Sequence, residues 1–206
     1  MKRVVFIVAA VMAMLSCGRA KNGGFSPEEL EILNATDSIM RVLTVEDSVD
    51  LAVLRGVSCD FSARELMSEE FDRLRSLMVA TVTHPSQDGV GIAGPQVGLN
   101  RRIVAVQRFD KEGEPFEVYA NARIVWMSDS LAYGPEGCLS VPERRGNVLR
   151  SQEIVIEYAD LASLNHGCED IPIKRDTVQG FTAVIFQHEI DHLEGVLYID
   201  RLWPFT

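Results

Sequence analysis

Apolar positions along the chain follow two periods. From Phe71, the residues Leu74, Leu77 and Met78 recur at spacings of three and four. That predicts an amphipathic helix starting at Ser62 or Ser68 and running to Val82. The run His84-Pro85-Ser86 would end it. An earlier, shorter helix is announced by Ser26-Pro27-Glu28-Glu29: an N-cap, a proline at the first helical position, and acids against the positive helix end. Leu30, Ile32 and Leu33 give it an apolar side. Residues 181–194 again carry apolar side chains at helical spacing, and Gly195 stands where a C′ glycine would stop the helix. Short β-branched or aromatic runs predict strands at 103–106 and 116–119, with Lys111-Glu112-Gly113-Glu114 as the turn between them. Further strands are expected at Ile124-Val125-Trp126 and Ile154-Val155-Ile156. Residues 35–60 show no clear period. Residues 86–98 read as a Gly-rich loop and 160–172 as a second loop, rich in Asp, Asn, Gly and Pro.

The first residues stand apart. Lys2 and Arg3 precede an apolar run over 4–15, which is too short to span a bilayer and fits a secretory h-region. Met14-Leu15-Ser16-Cys17 resembles a bacterial lipobox. The expectation is a lipoprotein signal over 1–16, cut before a lipidated Cys17; an ordinary signal cut near Ala20 is the alternative. Residues 18–25 then read as a polar, Gly-rich tether. The chain as a whole, 47% apolar and 24% charged, suits one soluble domain. A formal net charge of −10 argues against a nucleic-acid partner, since an acidic surface repels phosphate.

The chemistry concentrates in three segments. His188-Glu189-Ile190-Asp191-His192 places two imidazoles at i and i+4 on one helix face, with Glu189 beside them as a base. Two histidines leave a catalytic metal site short of a third protein ligand. Only 14 residues follow His192, too few for the distant glutamate of thermolysin-type proteases. Tyr198 stands where the metzincin pattern has its third histidine. The ligand must therefore lie upstream, and Cys138 in Glu136-Gly137-Cys138-Leu139-Ser140 is the natural candidate, an inert buried thiol being the bland alternative. Of the four cysteines, Cys59 and Cys168 could then pair as a disulfide. The third segment, residues 89–98, has glycines that let a substrate backbone approach closely, and Gln96 offers an uncharged donor to a developing oxyanion. It lacks the Lys-Ser/Thr of a phosphate loop.

Together these segments, GVGIAGPQ (89–96), EGCLS (136–140) and HEIDH (188–192), resemble the three signature motifs of the peptide deformylases, in the same order. Gly94 stands where that family usually has alanine. The similarity covers roughly 45–206 and leaves 17–44 as tether and N-terminal extension. The resemblance implies an α+β fold with mostly antiparallel strands packed around a central C-terminal HExxH helix. It implies a hydrolase that removes the formyl group from N-formyl-methionyl peptides. Cys138, His188 and His192 would bind one divalent metal ion. The family points to Fe²⁺ there, with Zn²⁺, Ni²⁺ or Co²⁺ as other occupants. Glu189 would be the general acid/base, and Gln96 with the Leu139 amide the oxyanion hole. Gly91 would bond the substrate backbone and Arg145 would help hold the peptide. Val90, Glu136, Phe181, Val184 and Ile185 would line the pocket for the methionine side chain, with Arg150 fixing Glu136. The expected protein is a monomeric, lipid-anchored lipoprotein of the cell envelope. The rival reading is a lipid-anchored formyl-peptide-binding protein with little turnover.

Overall fold

A computed structural model describes residues 24–165 and 170–202. The expectations for 1–16, Cys17 and Cys168 lie outside the described residues. Cys59 is disulfide-bonded.

The N-terminal part is helical. Helix α1 (Pro27–Asn34) is capped as its sequence predicts, with the Ser26 hydroxyl accepting from the Glu29 amide and the Glu29 carboxylate accepting from the Ser26 amide. Phe25 and Leu33 are buried in the main core, so the packed body begins by residue 25 rather than beyond it. Helix α2 (Ser48–Leu54) follows in the stretch that showed no period. Ser62 and Ser68 both act as N-caps. They start two helices, α3 (Ala63–Leu66) and α4 (Glu69–Val82), where one was expected. Phe71, Leu74, Met78 and Val82 of α4 face the core, as their spacing requires.

Among the described residues, eight strands make three antiparallel sheets. Strands β1 (Gly91–Ala93), β2 (Ile103–Gln107) and β3 (Phe116–Ala120) form the first. Strands β4 (Arg123–Met127), β7 (Glu153–Ala159) and β8 (Ile173–Gln179) form the second, in the order β4-β7-β8. The hairpin β5 (Leu131–Cys138) and β6 (Val141–Ser151) forms the third. The expected loop over 86–98 is therefore corrected. It holds β1 and a 3-10 turn (Gly94–Val97), both fully buried. A loop there would leave buried peptide groups unpaired, and pairing β1 with β2 satisfies them.

Helix α5 (Gly180–Leu193) runs through the centre. Most of its residues from Thr182 to Leu193 are buried, which suits a helix apolar on nearly every side. It ends in a Schellman arrangement: the Gly195 amide donates to the His192 carbonyl and the Val196 amide to Asp191. Gly195 has φ +70°, and a Cβ there would collide with the Arg55 carbonyl, so glycine is required. The result is the α+β fold expected, with antiparallel sheets around the C-terminal helix.

A buried ion pair ties the extension to the domain. The Arg101 guanidinium bonds Glu65, which is fully buried, and reaches Glu29 of α1 at 2.6 Å. Burial alone would raise the Glu65 pKa, but the Ser62 amide, Arg101 and the Ser62 hydroxyl together hold it below its ordinary 4.5. A carboxyl depressed in the folded state stabilises the fold above its unfolded pKa, and that contribution is lost as pH falls through the folded value. The urea midpoint is expected to fall as pH drops below about 4.5, in part through Glu65. Arg101→Leu leaves Glu65 buried without its partner and should cost about 3–5 kcal/mol at neutral pH. A midpoint within experimental error of wild type would refute this.

Candidate metal centre

The β5–β6 hairpin and α5 meet at the site. Cys138 ends β5, just before the turn at 139–140. There the ladder shifts register, so Cys138 pairs with Val141 while Gly137 pairs with Arg145. The skipped residues of β6 bulge outward, with Glu143 at φ +58°. The bulge sets Arg144 and Arg145 at the rim of a cavity of about 760 Å³. His188 and His192 are one turn apart on α5, and their rings approach edge to face with centroids 5.1 Å apart. The Cys138 sulfur lies 3.2 Å from His192 Nε2, and the donor atoms of Cys138, His188 and His192 all lie within 4.8 Å of one another. The three residues singled out in the sequence thus converge.

A chain of charged groups aims His188. Its Nδ1 bonds Glu136 Oε2 at 2.7 Å, leaving Nε2 to face the site. Glu136 is held by two bonds from Arg150, at 2.7 and 3.0 Å. Arg150 also bonds Asp191 at 2.6 Å, and Asp191 takes two bonds from Arg201. Burial would raise the Glu136 carboxyl, but bonds from His188 and Arg150 bring it down to about 2. Glu136 borders the cavity as expected, but its carboxylate points at the histidine. In that pose it would orient His188 as a metal ligand. Sequence reading paired Arg150 with Glu136 and missed Asp191, which extends the chain. Glu136→Gln is expected to weaken metal retention about 10–100-fold, measured by competition with a chelator.

Glu189 sits at the cavity wall beside Gly91. A Cβ on residue 91 would approach within 2.5 Å of Glu189 Oε1, so glycine makes room for the carboxyl. Burial, reinforced by Glu136 and opposed by His188 and Arg150, pushes Glu189 up to about 7. Gln96 is oriented by the Ala93 amide, which donates to its Oε1 at 2.8 Å. Its Nε2 faces Ser140 Oγ at 3.2 Å and the Cys138 sulfur at 3.5 Å. Residues 43–45, unread in the sequence, strap this arrangement. The Leu43 amide donates to the Gln96 carbonyl at 2.8 Å, and the Val45 amide to that of Ser140 at 2.9 Å. Val90, Gly91, Leu139, Arg145, Phe181, Val184 and Ile185 all border the cavity. Phe181 is more than half exposed at the mouth, its ring 5.3 Å from that of Phe109.

These residues fit a divalent cation. One thiol and two imidazoles suit a soft or borderline metal. Burial, with His188, Arg150 and Arg55 nearby, pushes the His192 pKa well below its ordinary value. Glu189 Oε2 is buried without a hydrogen-bond partner among the described residues, which marks a polar site not closed by protein alone.

Comparison with known proteins agrees. The family pattern described as polypeptide deformylase matches residues 39–206. A peptide deformylase of Caulobacter sp. (strain K31) is 39% identical over 168 residues, covering 80% of this chain and 88% of that protein. One from Leptospira biflexa is 35% identical over 157 residues, covering 73% and 82%. The crystal structure of a class I type b peptide deformylase from Acinetobacter baumannii with Met-Ala-Ser bound superposes with a TM-score of 0.67 at 31% identity. It covers 81% of this chain and all of that one. By motif, fold and extent of match, the chain belongs to the polypeptide deformylase family.

Proposed function

We propose that this protein hydrolyses the formamide bond of N-formyl-methionyl peptides and releases formate. The observation that carries the reading is the convergence of Cys138, His188 and His192 beside the buried Glu189, on the wall of a peptide-sized cavity. The related Acinetobacter enzyme holds Met-Ala-Ser, the sequence such a reaction would leave. Cys138, His188 and His192 would hold one divalent cation. Bound there, the cation supplies Lewis acidity, which acidifies water and polarises a carbonyl. Gln96 Nε2–H and the Leu139 amide donate to the oxygen that gains charge when water attacks the formyl carbon. Glu189 takes the proton from the attacking water and returns it to the departing amine. Gly91 and Arg145 hold the peptide backbone, and Val90, Val184 and Ile185 surround the first side chain.

The donor set suits Zn²⁺ by type, and the family points to Fe²⁺; elemental analysis of protein purified without air decides between them. Steady-state assay of formyl-Met-Ala-Ser beside its acetylated and unblocked analogues tests the reaction. Release of formate from the first alone is the expected result, and its absence with metal bound would overturn the reading. A mere binder of formyl peptides would not need the buried carboxyl of Glu189. We further propose that Cys17 carries lipid and places the enzyme in the cell envelope; mass spectrometry of the mature N-terminus tests this separately.

A further inference from the structure

Strand β5 contains a glycine whose presence its own geometry does not demand. Gly134 does not have a positive φ, and a Cβ built on it meets nothing within 4 Å. Glycine inside a strand costs backbone entropy and gives up packing. Here it leaves space, and burial along β5 shows where. Positions 132, 134, 136 and 138 are buried or half-buried, while 131, 133, 135 and 137 are exposed. Ala132, Gly134, Glu136 and Cys138 therefore form one inward row. The row starts at the metal ligand, passes the carboxylate that aims His188, and ends in two of the smallest side chains.

A second cavity, of about 230 Å³, lies along the small end of this row. Ala132, Gly134, Val148 and Gln152 border it, and Glu136, Phe181 and Val184 belong to its wall and to that of the main cavity. Of those three, Glu136 is pinned by Arg150 and His188. Phe181 is more than half exposed, and Val184 is short. The charges facing this space, Arg150 and Glu136, neutralise each other.

We infer that the pocket for the first side chain of the substrate continues past Val184 and Phe181 into this second cavity, so that the enzyme takes formyl peptides whose first residue is longer than methionine, aromatic residues with an extended linker included. Gly134 is then a specificity-determining position: its missing side chain is the depth of the pocket. The inference rests on the deformylase reading above. A filled pocket discriminates against an added methylene by about tenfold or more, so an open one should show little such penalty.

The test compares kcat/KM for formyl-Met-Ala-Ser and formyl-homophenylalanyl-Ala-Ser, using metal-loaded wild type, Gly134→Ile and, from the same inward row, Ala132→Leu. In wild type the two substrates should agree within about threefold, well inside the penalty a filled pocket imposes. Either substitution should lower the homophenylalanyl value at least tenfold and leave the methionyl value within twofold. Gly134→Ala, which adds only one carbon into open space, should retain both. Methionyl and homophenylalanyl values that fall together, or that both stay unchanged, would overturn the inference, as would a wild type that rejects homophenylalanine. A wild type that hydrolyses neither substrate would instead overturn the deformylase reading.

Discussion

Glu189→Gln is expected to keep its metal and lose about 10³-fold in kcat. A positioned acid/base group is worth roughly 10²–10⁴-fold. The upper part of that range fits Glu189, because the proposed mechanism uses it twice, once to accept and once to deliver a proton. The substitution is nearly isosteric and leaves the three ligands and the Glu136–Arg150–Asp191 chain in place. Metal content measured beside the rate makes the result interpretable. A variant with full metal and wild-type turnover would show that another group moves the proton. A variant that loses metal would show that the carboxylate helps hold the ion.

Cys138→Ala should lose both metal and activity. It removes one of the three proposed ligands while keeping the hairpin, since Cys138 is only half-buried and its backbone pairing with Val141 does not depend on sulfur. Lewis-acid assistance is worth several kcal/mol, so a fall of about three powers of ten in kcat/KM is expected. Circular dichroism should be unchanged, and added metal should not restore the rate at concentrations that restore chelator-stripped wild type. Full activity with metal bound would remove the thiolate from the site.

Much of this was legible in the sequence, for identifiable reasons. The HEIDH segment declares a helix and a chemistry together, because the i, i+4 spacing that stacks the imidazoles also repeats the apolar pattern of Phe186 and Ile190. Strands β2, β3, β4 and β7 announce themselves with β-branched and aromatic runs. The hairpin that delivers Cys138 does not. Its first strand holds Gly134, Pro135 and Gly137, and its second holds Pro142, Glu143, Arg144, Arg145 and Gly146, residues that lower strand propensity or spell a loop. Strand β8 is polar along most of its length and is made a strand by pairing with β7. Strand β1 hid among glycines, one of which, Gly91, makes room for Glu189. In the site, the convergence of Cys138, His188 and His192 could be read because their side chains carry the chemistry. The strap at 43–45 could not, because it acts through backbone amides, which any residue possesses.

The docking of α1 bears on where the protein can work. Phe25 and Leu33 are packed and Glu29 is tied to Arg101, so the packed body has begun by residue 25. If Cys17 carries lipid, residues 18–24 are all that separates acyl chains from that body. Fully extended, seven residues reach about 25 Å. The enzyme would then be confined to a layer about as deep as its own tether, and would meet peptides that travel along the bilayer or emerge from it far more often than those free in the surrounding volume.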